Sequence, residues 1–362
     1  MQVIDSLALG GAEVLVADMY TGLRERGIEC EYYLLRSEET PLEQKITRQG
    51  ARIHAPLAAS VYSPLHVWAL QKHLREFKYD VVHVHLFPAQ LWAACGARLA
   101  RTAIPLVTTE HATLNRRRVS WFRGIDRLMY RQYQRIASVS HATTANLVEW
   151  LPEVKDKVIE CPNGINVDTY ASATTTDKKD LFSLPESTPV VLCVGRLDPE
   201  KDHKTLLRAV GLVPGVVLVL AGDGPLSERL HTLADELGIA SRVRFLGKRM
   251  DVPQLLKAAD VYVQPSLWEG FGIAALEAMA AGKPVIASNV PGLAEVIGDA
   301  GILFPVGDVG HLAQSITTLL GDANYRQALG EAAQQRSRMF SLDKTLDCYE
   351  KLYREVAGNV GR

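Results

Sequence analysis

Short apolar runs alternate with amphipathic stretches along almost the whole chain, and this alternation predicts a β-α repeat. Residues 3–7, 30–35, 52–56, 80–85, 105–109, 135–140 and 158–161 read as strands. Helical spacing lies between them over 10–26 (stopped by Gly27), 41–49, 65–77 and 88–101, and residues 140–143 open another helix. A second series follows, with strands at 189–196, 216–221, 243–247, 260–264, 284–288 and 301–306, then helices over 308–339 and an amphipathic helix over 341–356. Strand and helix alternating in this way imply a doubly wound parallel sheet, and two series imply two Rossmann-like units in an α/β fold. Residues 166–187 are polar, include Ala-Thr-Thr-Thr and Asp-Lys-Lys-Asp, and read as a linker between the units.

The 362 residues suffice for two ordinary domains, and 47% hydrophobic with 22% charged residues are globular values. A net charge of −1 excludes a general polyanion binder, so nucleic acid is not an expected partner. Charge enters locally. From Asn115 to Arg135 there are seven arginines, starting at Arg116, against the single acid Asp126, a local net charge of +6 with aromatic residues interleaved. Such a segment is a surface helix with snorkelling arginines or a contact for anionic lipid head groups. Five scattered cysteines without a C-x-x-C read as thiols in a reducing compartment. Met1 leads straight into a strand with no leader pattern, and no apolar run is long enough to span a bilayer. The expected location is cytoplasmic, extending to the inner face of a membrane through the basic segment.

The chemistry concentrates on one turn. The run Asp260–Gln264 stops at Pro265; a loop with Ser266, Glu269, Gly270 and Gly272 follows; helical spacing then continues past Phe271 and Ile273 to Gly282. This strand-loop-helix turn puts the loop at the carboxyl end of a parallel strand, with free N–H groups at the helix start suited to an anion. Glu269 and Glu277 stand eight positions apart, so helical steps of ~100° bring them within ~80° of one direction. Glu277 lies in a nearly all-apolar helix and needs a partner there. Arg196 and Lys201 flank another strand-end loop and form a candidate diphosphate clamp, Arg as a fork of donors and Lys as a point charge. Gly10-Gly11 opens the first helix, Gly222-Asp223-Gly224 forms a turn after a strand, and Lys248-Arg249 follows another. His111 and His85 sit at strand ends in the first half. No Asp-x-Asp pair occurs at a strand end, so neither a metal nor another cofactor is expected.

These residues resemble the family-4 retaining glycosyltransferases of the GT-B fold. The signature is a Glu, seven residues and a Glu after a Pro-Ser strand end, and several further motifs appear in the family's order over nearly the whole chain. The resemblance implies two Rossmann-like domains facing a central cleft. Residues 1–165, joined by the returning helix of about 341–362, would form the acceptor side, and 188–340 the nucleotide-sugar side. It also implies roles. Glu269 binds sugar hydroxyls, Glu277 the ribose, and His111 the sugar from the opposite wall. Arg196, Lys201 and the helix start at Phe271, Gly272 and Ile273 hold the diphosphate. Asp223, Lys248 and Arg249 border the nucleotide, and Gly10 and Gly11 touch diphosphate or acceptor. Attack on the front face would need no separate protein base. UDP-sugars are favoured on frequency and GDP-mannose stays open; the acceptor would be a glycan or lipid-linked glycan. A sugar-nucleotide epimerase and a non-catalytic nucleotide-sugar binding module are the rivals.

Overall fold

The computed structural model describes residues 1–56, 60–113, 115 and 117–358. The chain forms two compact units, one of Met1–Gly164 joined by the C-terminal segment from Leu342, the other of Ile165–Ser341.

The first unit is built on β1 (Gln2–Ile4), β2 (Glu31–Leu34), β3 (Arg52–His54), β4 (Val82–His85), β5 (Leu106–Glu110), β6 (Arg135–Ser138) and β7 (Val158–Glu160). All pairings are parallel, in the order β3-β2-β1-β4-β5-β6-β7. Successive residues feed opposite faces, as strand geometry requires. Val3 and Tyr33 enter one apolar cluster, with Leu70, Ala93 and Tyr130. Ile4, Tyr32 and Leu34 enter the other, with Leu15 and Met19. Strands β1, β4 and β5 are buried at every position, as interior strands of a parallel sheet covered on both faces should be, whereas the edge strands β3 and β7 are partly exposed.

The helix Leu342–Gly358 completes the second of these faces with Leu346, Tyr349, Leu352 and Val356. It lies so close to the helix Gly11–Glu25 that a Cβ on Gly22 would stand 2.3 Å from Leu346 Cδ1. It also brings Cys348 to Cys161, which precedes it by 187 positions, and the two form a disulfide with Cα atoms 5.8 Å apart. The expectation of five thiols is therefore corrected, and with it the argument for a reducing compartment. Only Cys30, Cys95 and Cys193 are free. Spacing along the chain cannot reveal a pair made by a returning helix.

The second unit carries β8 (Val190–Val194), β9 (Val217–Ala221), β10 (Val243–Phe245), β11 (Val261–Gln264), β12 (Val285–Ser288) and β13 (Ile302–Phe304), all parallel, in the order β10-β9-β8-β11-β12-β13. Winding runs outward from β8 to β10, then reverses from β11 to β13. The topological switch, where parallel sheets open a crevice for ligands, thus falls between β8 and β11. In the first unit it falls between β1 and β4. The segment 166–187 is not a bare linker. It holds the helices Val167–Ala171 and Lys178–Phe182, buries Phe182 and Leu184, and anchors Lys178 on Asp260 at 2.8 Å. Its few apolar residues were hidden by their polar neighbours.

Candidate active site

The loop after β8 and the loop after β11 meet at the switch point of the second unit. Lys201, in the turn Pro199–Lys201, donates to Glu269 Oε1. Backbone joins the same two loops, since Leu267 N–H donates to the Glu200 carbonyl at 2.8 Å. Glu269 is held from below as well. Ser266 Oγ at 2.9 Å and Gln264 Nε2 at 3.1 Å donate to the same Oε1. Gln264 is itself fixed by the Tyr262 hydroxyl, 2.6 Å from its Oε1. All three supports are buried. Ser266 is fully buried, and its hydroxyl acts on Glu269. Burial works against the charge on Lys201, but the adjoining Glu269 carboxylate outweighs it and raises the lysine pKa above its ordinary value. The ammonium has three donors, so the bond to Glu269 leaves others for an incoming oxyanion.

Close approaches hold the surrounding loops in place. A Cβ on Gly222 would stand 1.9 Å from the Gly195 carbonyl oxygen, and one on Gly224 2.7 Å from that of Leu197. The Gly-Asp-Gly turn is therefore first a packing device. Asp223 is exposed, its carbonyl accepts the Leu197 N–H at 3.0 Å, and its carboxylate accepts its neighbour Gly224's N–H at 2.8 Å. Arg196 projects with 65% of its side chain exposed and pairs with Asp198 at 3.1 Å. Lys248 is exposed, while Arg249 is paired with Asp251 at 2.7 Å. Gly272 enters the helix Ile273–Ala280 at φ 94°, a left-handed conformation, and Gly270 and Phe271 are buried beside it. Phe271 packs edge-on against Phe340.

Glu277 has the partner its apolar helix demands. The Tyr170 hydroxyl donates to its Oε1 at 2.6 Å. Tyr170, Gln264 and Tyr262 were missed in the sequence. The signal available was Gln264, a lone polar residue at the end of an apolar run.

In the first unit His111 directly follows β5 and its Nε2 lies 3.1 Å from Nδ1 of His85, the last residue of β4. Burial pushes the His111 pKa down to about 4 against the opposing charge of Glu110, so the ring is neutral near pH 7. Asp5, after β1, escaped the sequence reading. Burial, with the Glu13 charge adding to it, raises its pKa to about 7, although the Ala89 N–H donates to it at 3.0 Å. Gly10 caps the helix Gly11–Glu25, and a Cβ there would stand 2.4 Å from Glu13 Oε2. The Glu13 carboxylate thus lies beside the loop where the diphosphate or the acceptor is expected to meet Gly10 and Gly11.

The basic segment is largely neutralised. Arg117 pairs with Asp126 at 3.1 Å and Arg118 with Glu110 at 3.2 Å, both inward; Arg127 pairs with Glu153, and Arg135 with Glu355 at 3.0 Å. Arg116 lies outside the described residues. Arg131 is exposed, Arg123 lies over the Trp150 ring, and Trp121 is 75% exposed. Among the described residues no group of His, Cys, Asp or Glu is arranged to hold a metal ion, and no helix is long and apolar enough to cross a membrane.

Two parallel-sheet Rossmann-like domains are the architecture of the GT-B glycosyltransferases. Residues 9–169 match the model of Glycosyltransferase Family 4 and residues 175–336 that of Glycosyl transferases group 1. Phosphatidyl-myo-inositol mannosyltransferase of Mycobacterium leprae is 30% identical over 96% of this chain and 94% of its own length. The UDP-Gal:alpha-D-GlcNAc-diphosphoundecaprenol alpha-1,3-galactosyltransferase of Escherichia coli is 28% identical over 80% of this chain and 79% of its own. Among solved structures, Anabaena HepE in complex with UDP and glucose superimposes with a TM-score of 0.84 at 25% identity, covering 97% of this chain and 98% of that one. The chain belongs to glycosyltransferase family 4.

Proposed function

We propose that this enzyme moves a sugar, with retention of configuration, from a nucleoside diphosphate to an acceptor hydroxyl. The observation that carries the reading is the Lys201–Glu269 pair at the β8/β11 switch, beside the start of the helix Ile273–Ala280. Arg196 and Lys201 hold the diphosphate together with the N–H groups of that helix. Glu269 accepts hydrogen bonds from sugar hydroxyls, and Glu277, steadied by Tyr170, accepts those of the ribose. The C1–O bond to the leaving phosphate breaks as the acceptor oxygen bonds C1 from the same face. The acceptor proton passes to the leaving phosphate oxygen, so no protein base intervenes. Positive charge spreads over C1 and the ring oxygen while negative charge grows on the phosphate, and fixed cations there stabilise the transition state more than the ground state. The clamp replaces a metal ion in this scheme.

UDP is the favoured nucleotide; HepE was solved with UDP, and the galactosyltransferase relative is named for a UDP donor. Relatives named for phosphatidylinositol and for a diphosphoundecaprenol sugar support a lipid-linked acceptor. Exposed Trp121 and Leu128, flanked by Arg123 and Arg131, support peripheral contact with an anionic membrane at its cytoplasmic face, through fewer charges than the composition of the segment indicates.

The test is a thermal shift with UDP, GDP and ADP in excess chelator, on the wild type and on Arg196→Ala/Lys201→Ala. A nucleotide at about 100 times its Kd adds ~2.7 kcal/mol, a visible shift. UDP is expected to stabilise the wild type and not the double variant. Binding only after metal is supplied would overturn the metal-free clamp, and no binding in either condition the transferase reading. The product's anomeric configuration, read by NMR, then decides retention, and a released epimeric donor would favour the epimerase.

A further inference from the structure

In the second unit, both amide hydrogens of a buried side chain are directed at Glu269. Gln264 ends β11, an interior strand between β8 and β12, and is 1% exposed. Such a position ordinarily takes an apolar residue, and a buried carboxamide is costly unless its polar atoms find partners. Here they do. The Tyr262 hydroxyl, two positions earlier and so on the same side of the strand, donates to Gln264 Oε1 at 2.6 Å. Of the two hydrogens on Nε2, one goes to Glu269 Oε1 at 3.1 Å and the other to Ser266 Oγ at 2.9 Å. Ser266 passes its own hydrogen to the same Glu269 oxygen at 2.9 Å. The carboxamide therefore acts on one carboxylate oxygen twice, directly and through the serine.

The orientation of the carboxamide follows from chemistry. A carboxylate accepts hydrogen bonds and gives none, so the end of Gln264 that faces Glu269 is the amino end. The reverse placement would set oxygen against oxygen at 3.1 Å. Lys201 reaches the same carboxylate oxygen from the loop after β8. The donors differ in kind. Lysine is a point charge on a flexible stem, and in the mechanism above it also serves the diphosphate. Gln264 and Ser266 are buried and anchored in the strand end. When the ammonium turns toward a phosphate, these two neutral donors keep the carboxylate in place.

We propose that Gln264 is a positioning residue for the donor sugar: it fixes Glu269, directly and through Ser266, so that the carboxylate meets the sugar hydroxyls in one orientation while Lys201 is engaged on the diphosphate. This rests on the transferase reading above, in which Glu269 accepts the sugar hydroxyls. It separates two tasks within one loop. Loss of the carboxamide weakens recognition of the sugar and spares that of the nucleotide.

The experiment compares the full-length wild type with Gln264→Leu and Gln264→Glu. Calorimetry uses UDP and GDP alone and the donors UDP-glucose, UDP-galactose, UDP-N-acetylglucosamine and GDP-mannose; turnover is measured with each donor that binds. Gln264→Leu should lower donor affinity and kcat/KM about tenfold, the size of one lost hydrogen bond to a charged group, and leave nucleotide affinity within about twofold. Gln264→Glu supplies a pH profile. Ionised, the introduced carboxylate repels Glu269; protonated, its O–H donates to Glu269 as the carboxamide did. Its donor affinity and kcat/KM relative to wild type should therefore rise as the pH falls from about 8 to about 5.5, while the same ratios for Gln264→Leu stay flat. A folded Gln264→Leu protein with unaltered donor affinity and kcat/KM would overturn the proposal, as would equal losses for donor and nucleotide. So would a Gln264→Glu protein whose ratios do not rise in acid, and this variant, with the volume of the original side chain, decides the matter where Gln264→Leu fails to fold. A wild type that binds a donor but turns none over overturns the transferase reading instead, and the affinities still decide the proposal. A wild type that binds no donor overturns both.

Discussion

Tyr170 makes the sharpest residue-scale prediction. Its hydroxyl supports a carboxylate, and a hydrogen bond to a charged group is worth roughly 1.5–3 kcal/mol. Tyr170→Phe is expected to weaken UDP binding by about tenfold or more and to leave binding of 2′,3′-dideoxy-UDP nearly unchanged. Calorimetry on both ligands checks this, and equal losses on the two would remove Glu277 from the ribose. A second prediction concerns acid. The pKa values of His111 and His203 are both pushed down to about 4, chiefly by burial, with Lys201 adding to the effect at His203. In the unfolded chain they titrate near ~6.5. The unfolded state thus binds the extra protons, so stability is full above about pH 6.5 and falls as the pH drops toward 4, by up to ~1.4 kcal/mol per pH unit for each group. Urea unfolding at pH 7, 6 and 5 reads this slope. Asp5 has the opposite sign, its pKa being raised to about 7 by burial and by Glu13. Its contribution is lost as the pH rises through 7, and Asp5→Asn should stabilise the protein at pH 8 but not at pH 4.

At the scale of elements, the turn into the helix Ile273–Ala280 is the place to perturb. Gly272 has φ 94°, and a Cβ there would stand 2.4 Å from Leu293 Cδ2. Gly272→Ala should cost about 1–2 kcal/mol for the left-handed backbone alone, and more where Leu293 cannot yield. It should also lower nucleotide affinity by re-aiming the helix that carries Glu277; a chemical-unfolding curve and a UDP titration on one sample separate the two effects. This turn was legible because Glu269, Gly270, Gly272 and Glu277 keep a fixed spacing within a single strand-loop-helix unit. Strands β8, β9, β11 and β12 were legible for a related reason, since burial on both faces keeps most of their positions apolar. The arginine segment was not. Counting charges gives +6, but the acids that neutralise Arg118, Arg127 and Arg135 come from β5, from residue 153 and from the last helix. The buried supports were equally out of reach, because Tyr170 and Glu277 become neighbours only through tertiary folding.

For the whole molecule, the cysteines give a simple check. Denatured without reductant, the protein should titrate three thiols, Cys30, Cys95 and Cys193, and five after reduction. Truncation after Ser341 removes Leu346, Tyr349, Leu352 and Val356 from the first unit's core along with Cys348. The truncated chain should bind a hydrophobic dye and lose the cooperative melting of that unit, while a full-length Cys348→Ser protein should keep the helix docked and melt only at lower temperature.

The closing helix also bears on how the protein is made. A chain growing from its N-terminus brings out residues 1–164 first, but the face of the first sheet around Leu15, Met19 and Tyr32 stays uncovered until Leu346 and Tyr349 arrive. At roughly 5–20 residues per second, synthesis of the intervening unit takes on the order of ten seconds or longer. The second unit can finish while the first, though older, remains open. In a cell, the half of the enzyme that is translated first is therefore the half that matures last, and through that interval its apolar sheet face is what a chaperone would meet.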